Sequence, residues 1–221
     1  MFTRIPNTAM DFGPKRYLGI VAILAAAAIN VAPAAPLSRY KTIRYPGCNH
    51  YGDHTTLYGI NDAGQIVGTH SCSRDSGSTG AFLLSNGVFT AIDAPGATST
   101  FAYGINNNAQ IVGFYNYPVN GNPQGGTQAF LYSAGVFTLI NPPPGFAIVV
   151  EPYGINDTGD IVGWSLGTGW TGFLDKGGTF SSFSVPGALP TFGYGLNNTG
   201  QIVGAYLDSS SPPKYHGFLY D

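Results

Sequence analysis

Four near-identical segments constrain the fold of this chain more tightly than any other feature of its 221 residues. YGINDAGQIVG runs over 58–68, YGINNNAQIVG over 103–113, YGINDTGDIVG over 153–163 and YGLNNTGQIVG over 194–204. Two further motifs keep the same phase. GAFLL (80–84), QAFLY (128–132), TGFLD (171–175) and HGFLY (216–220) follow the four copies. YKTIRYPG (40–47), VFTAIDAPG (88–96), VFTLINPPPG (136–145) and TFSSFSVPG (179–187) precede them. Several apolar runs and turns per period mark tandem supersecondary units, which bury their apolar faces only against their neighbours.

Each unit reads as four short strands: FTxI stopped by Pro-Gly, then the YGIN segment, then QIVG, then GFLY. The second and third are joined by Asn61 to Gly64, with counterparts from Asn156 to Gly159 and Asn197 to Gly200. Asn opening a type I turn that a left-handed Gly closes is a three-residue hairpin with a G1 bulge. The second unit keeps Asn106 but has Ala109 at the Gly position. Either Ala109 adopts the left-handed conformation there or Asn108 takes it over. The pattern predicts an all-β, β-propeller-like domain over 35–221. It has four four-stranded units at about 39–86, 87–134, 135–178 and 179–221. A β-solenoid is the rival, although its coils are shorter. Four is the lower limit of blade number, so closure within one chain and pairing with another both stay open.

Composition agrees. The chain has 32 Gly and 16 Pro but only nine Lys plus Arg and eleven Asp plus Glu. That excludes a coiled coil or long-helix bundle. Aromatics at 14% supply core material that a disordered chain lacks. A net charge of −2, with no basic stripe, excludes nucleic acid as a partner.

The N-terminus reads as a secretory signal peptide. Lys15 and Arg16 precede an apolar stretch from Tyr17 to Ile29, and Ala32-Pro33-Ala34 supplies a small-residue cleavage site. Thirteen apolar residues fall short of the roughly 20 that span a bilayer, so no membrane span is expected in the mature chain. Met10 is an equally good start. Cleavage near Ala34 makes residues 1–34 the signal peptide, leaves six basic residues against ten acidic, and places the protein outside the cytoplasm, secreted or periplasmic.

The YGIN-xxG-QIVG core and the (H/G/Q)-(A/G)-F-L strand resemble the HAF-repeat family of bacterial extracellular proteins. Four copies in register cover essentially all of 39–221. Only His216 retains the His of the family's His-Ala-Phe motif; Gly80, Gln128 and Thr171 or Gly172 replace it elsewhere. The resemblance implies secretion and a propeller-like fold. It carries over no catalytic residues.

If the strands alternate in direction, the Asn turns and the SNG, SAG and DKGG connections share one tight, uniform face. The opposite face gathers long, unlike loops: Gly47 to Thr56, Thr69 to Thr79, Tyr115 to Gln128, Pro142 to Pro152 and Asp208 to Tyr215. Unlike loops on a rigid scaffold are where ligand contacts concentrate. Tyr51, Tyr115, Tyr117, Trp164, Trp170 and Tyr206, with Tyr215 nearby, are the candidates for stacking on sugars. An ordinary blade core also uses aromatics.

Cys48 and Cys72 follow strands of the first unit on that same face, and an oxidising compartment predicts their disulfide. His50, Asp53, His54 and His70 gather nearby, but His50-x3-His54 loses its metal-binding meaning in a loop, so no metal and no cofactor is expected. Glu151 is the only Glu of the protein, and no G-x-S-x-G, H-E-x-x-H or P-loop occurs. Carboxylate chemistry would need a pair such as Glu151 and Asp53 at glycosidase spacing. The expectation is a non-catalytic repeat protein binding a glycan, peptide or extracellular protein. The alternatives are a structural or matrix propeller without a ligand, and a secreted carboxylate-based hydrolase or lyase.

Overall fold

A computed structural model describes residues 40–73, 78–167, 169–188 and 190–221. The signal-peptide segment lies outside the described residues. Among the described residues fifteen strands form four antiparallel sheets in chain order. The first sheet holds β1 (His54–Ile60), β2 (Ile66–Ser71), β3 (Thr79–Ser85) and β4 (Val88–Ile92). The second holds β5 (Ser99–Ile105), β6 (Ile111–Val119), β7 (Asn122–Ser133) and β8 (Val136–Ile140). The third holds β9 (Val149–Ile155), β10 (Ile161–Leu166), β11 (Trp170–Lys176) and β12 (Thr179–Phe183). The fourth has only β13 (Thr191–Leu196), β14 (Ile202–Leu207) and β15 (Tyr215–Tyr220). They are the four blades of a β-propeller-like all-β fold.

The sheets cross the boundaries of the sequence repeat. Each FTxI strand was expected to open its own unit, yet it closes the preceding sheet: β4 pairs with β3, β8 with β7 and β12 with β11. The cause is loop length. Asn86-Gly87, Ala134-Gly135 and Gly177-Gly178 are two-residue connections with both φ positive, which force the flanking strands to pair. The expectation of four four-stranded units is corrected accordingly to three four-stranded sheets and one three-stranded sheet.

The Asn turns form as the residues predict. Asn61 O accepts from Gly64 N and Asn61 N donates to Gln65 O, and the other three units repeat the pattern. Gly64, Gly159 and Gly200 have φ of 72°, 85° and 90°, and in the second unit Ala109 itself takes φ 56°. Its Cβ makes that conformation cost about 1–2 kcal/mol. Ala109→Gly is expected to raise stability by about 1 kcal/mol in urea denaturation, the added backbone freedom of glycine offsetting part of the relief.

Burial follows the repeat. Phe82, Phe130 and Phe173 of the GFL strands are fully buried, with Val67, Val112 and Val162 of the QIVG strands. Val67, Ala81 and Ile92 of the first sheet pack with Ala102, Ile105 and Ile111 of the second. Val112, Ala129 and Ile140 of the second pack with Val150, Ile155 and Phe173 of the third. The first strands of successive sheets lie side by side as inner strands, and each carries a bulge that drops one residue from the register: Tyr58, Tyr103, Tyr153 and Tyr194.

Candidate functional site

The bulges re-aim the four tyrosines, and the rings form a row across the inner strands. Tyr58 and Tyr103 have centroids 4.6 Å apart, Tyr103 and Tyr153 4.6 Å, and Tyr153 and Tyr194 5.7 Å. On the third sheet the row meets a polar relay. Trp164 Nε1 donates to Tyr153 Oη at 3.4 Å, and Tyr153 Oη donates to Glu151 Oε2 at 3.4 Å. Cross-strand register sets this up, because Trp164 on β10 faces Glu151 on β9. Burial raises the Glu151 carboxyl above its ordinary range, and burial pushes the Tyr153 hydroxyl up to about 12.

Trp164 also stacks on Trp170, with centroids 4.7 Å apart and planes at 12°. Phe192 contacts both indoles edge-on. Trp164 is 8% exposed and Trp170 46%, so the inner indole holds the outer one at the surface. Trp170 begins β11 at the variable-loop end of the sheet. The arrangement combines a held aromatic surface with a half-buried acceptor, a pairing that suits neutral hydroxylated ligands.

The raised carboxyl has a thermodynamic consequence. An acid whose pKa is higher folded than unfolded weakens the fold as pH rises between the two values. Glu151→Gln is therefore expected to raise the Tm at pH 7, with the gain vanishing below the unfolded pKa of about 4. Melting curves across pH 3–8 check this.

The other candidates scatter. Tyr115 and Tyr117 sit 6.1 Å apart on β6. Tyr115 to Gln128 was expected to be a loop; it is an extended hairpin, β6 and β7 turning at Asn120-Gly121, both with positive φ. That correction was available from Val119-Asn120-Gly121-Asn122, since Asn-Gly between strand residues is a strong hairpin signal. Tyr206 stacks on its cross-strand partner His216, whose Nε2 lies 2.8 Å from Asp208 Oδ2, far along the chain from the tryptophans. Tyr215 begins β15 and is exposed. Tyr51 is fully exposed in the loop before β1. The tyrosines of the inner row, Phe192 and the acceptor role of Glu151 escaped sequence reasoning. Their signal was the invariant Tyr of YGIN, which reads as an ordinary strand residue unless the bulge is known.

Cys48 and Cys72 form the expected disulfide, with Cα atoms 4.9 Å apart. His70 Nδ1 lies 3.5 Å from Cys72 Sγ, and the ring stacks on Tyr45 at 3.7 Å. This Cys–His grouping could ligate a metal only with the disulfide reduced. His70 also explains Gly80, its cross-strand partner: a Cβ there would lie 2.5 Å from His70 Nε2. Asp53 accepts from His50 N and from Ser73 N and Oγ, and these bonds, the Ser73 hydroxyl first, hold its pKa at about 2. Asp53 and Glu151 thus serve separate polar groups, one in the loop before the first sheet and one on the third. No helix among the described residues is long and apolar enough to cross a membrane.

Comparison with family models and with curated proteins finds no match to this chain.

Proposed function

We propose that this protein is an extracytoplasmic, non-catalytic repeat module of the HAF-repeat type that binds a glycan at the variable-loop end of its sheets. The observation that carries this reading is the Trp164–Trp170 stack beside Glu151. One indole is buried as a support and the other is presented, so little side-chain freedom is lost when a sugar ring stacks on Trp170. Glu151 and Tyr153, joined to the supporting indole through Trp164 Nε1, supply polar partners for hydroxyl groups. Low overall charge favours a neutral ligand, and the disulfide fits an oxidising compartment.

A glycan array on the purified protein tests the reading. Binding to at least one neutral glycan class is expected. Trp170→Ala is expected to weaken it tenfold or more, about 1.4 kcal/mol, while Tyr51→Ala leaves it unchanged. An array without hits, or a hit insensitive to Trp170→Ala, would refute the assignment of this surface.

A further inference from the structure

The three junctions between consecutive sheets are built alike, each from the trailing side of one sheet and the leading side of the next. From the first sheet Val67, Ala81 and partly buried Leu83 meet Ala102 and Ile105 of the second. The inner-strand glycines mark the closeness of approach. A Cβ on Gly59 would lie 2.8 Å from Tyr103 O, one on Gly104 2.9 Å from Tyr153 O, and one on Gly154 3.0 Å from the Gly195 Cα. The Asn turns add a polar ladder. Asn61 Nδ2 donates to Asn106 O at 3.0 Å, Asn106 Nδ2 to Asn156 O at 2.9 Å and Asn156 Nδ2 to Asn197 O at 3.2 Å.

Among the described residues nothing covers either end of this series. Val203 and Leu219, the fourth-sheet counterparts of Val67 and Leu83, are 52% and 63% exposed, whereas Val67 is 0% exposed. Leu57 and Ile60, counterparts of Ala102 and Ile105, are 41% and 67% exposed, whereas Ile105 is 8% exposed. A Cβ on Gly195 would meet only Val203 of its own sheet, at 3.7 Å. Asn197 Nδ2 donates to Gln201 Oε1 and to no carbonyl of another sheet, while Asn61 O accepts only from its own turn.

Among the described residues the fourth sheet also lacks an outer strand, whose sequence counterpart precedes β1. The repeat aligns Thr42-Ile43-Arg44-Tyr45 with Ala91-Ile92-Asp93-Ala94. Tyr45 N bonds to Thr55 Oγ1 at 3.0 Å just as Ala94 N bonds to Thr100 Oγ1 at 3.2 Å. The segment thus holds the station of β4 relative to the sheet that follows, yet residues 42–44 pair with no strand among the described residues.

We propose that a second copy of the chain covers both open ends, head to tail. Val203 and Leu219 of each copy pack on Leu57 and Ile60 of the other, and the segment around Thr42 and Ile43 adds as the outer strand beside the other copy's β15. The two open faces are the two halves of one junction already used three times in the chain, and the ladder is left with a donor at one end and an acceptor at the other. Two such contacts close a ring of eight sheets, as a head-to-tail interface does when its rotation closes.

Light scattering during size-exclusion chromatography of the purified protein is expected to give twice the chain mass. Leu219→Asp, at an exposed position, is expected to halve that mass while the circular dichroism spectrum stays unchanged. A monomeric mass overturns the proposal, and a ladder of larger species overturns ring closure. Lys41→Cys combined with Leu219→Cys separates the remaining case. The repeat places these positions opposite each other, as Thr90 is opposite Leu83, so oxidation is expected to yield a covalent dimer on a non-reducing gel. An intrachain crosslink, seen as a faster-running monomer, would show that the chain closes on itself and overturn the proposal.

Discussion

Gly113→Ala is expected to cost at least about 3 kcal/mol and to remove the cooperative urea transition at temperatures where the parent protein is folded. A Cβ at residue 113 would lie 1.8 Å from Phe101 O on the adjacent strand and 3.0 Å from the Phe130 ring. Neither neighbour can yield. Phe101 O is main chain at the bulge, and Phe130 is fully buried at the centre of the sheet. β6 would have to separate from β5 and lose the ladder that positions Tyr103. The glycine of every QIVG segment sits in the same approach, 1.9–2.1 Å from Phe192 O, Glu151 O or Thr56 O for Gly204, Gly163 and Gly68. Gly217→Ala is the control: a Cβ there meets only Gly204 O at 3.9 Å, and its cost is expected to stay below about 0.5 kcal/mol. Equal costs at 113 and 217 would show that close approach does not explain the invariant glycine.

Asn106→Ala carries the second large effect, about 3 kcal/mol in the same assay. The side chain is 3% exposed and uses all its polar capacity. Oδ1 accepts from Asn108 N and Gln110 N at 3.0 and 2.9 Å, and Nδ2 donates to Gln110 Oε1 at 2.7 Å and to Asn156 O at 2.9 Å. Alanine removes the buried donor to Asn156 O and the half-buried bonds that close the turn, and severs the link between the second and third sheets. The neighbouring Asn107 also bridges sheets, through Asp157 and Asp62, but in solvent. Water replaces those bonds, so Asn107→Ala is expected to cost less than about 1 kcal/mol. The difference between the two variants measures what burial adds to the ladder.

The turns were legible because their determinants lie within five consecutive residues. Asn61 and Gly64 contain the whole of their hairpin, down to the side-chain amide that accepts from Gln65 N. The disulfide was legible for another reason: 24 residues separate its two cysteines, but the repeat places both at one end of one unit. The pairing of the FTxI strands was less plain, because each such strand has a candidate partner on either side. The deciding signal was present in the two-residue Asn86-Gly87 loop set against the longer Pro-Gly link, since a two-residue loop leaves its strands no choice but to pair. Trp164 and Trp170 were legible as aromatics near one face but not as a stack. Their contact depends on β10 and β11 being neighbours and on both side chains emerging on the same side of that sheet.

The sequence by itself determined the local units of this protein: four inner hairpins, tight glycine turns and the strand character of the GFL segments, each a consequence of near-neighbour backbone sterics and a period-two apolar pattern. Only the tertiary structure decided the tyrosine row, the relay from Trp164 to Glu151 and the open junction between the first and fourth sheets. Those features depend on how successive sheets approach and rotate, which many weak contacts set collectively. Identical repeats cannot encode where a series ends. Val203 and Val67 have the same local sequence, and one is exposed and the other buried because only one has a sheet beside it.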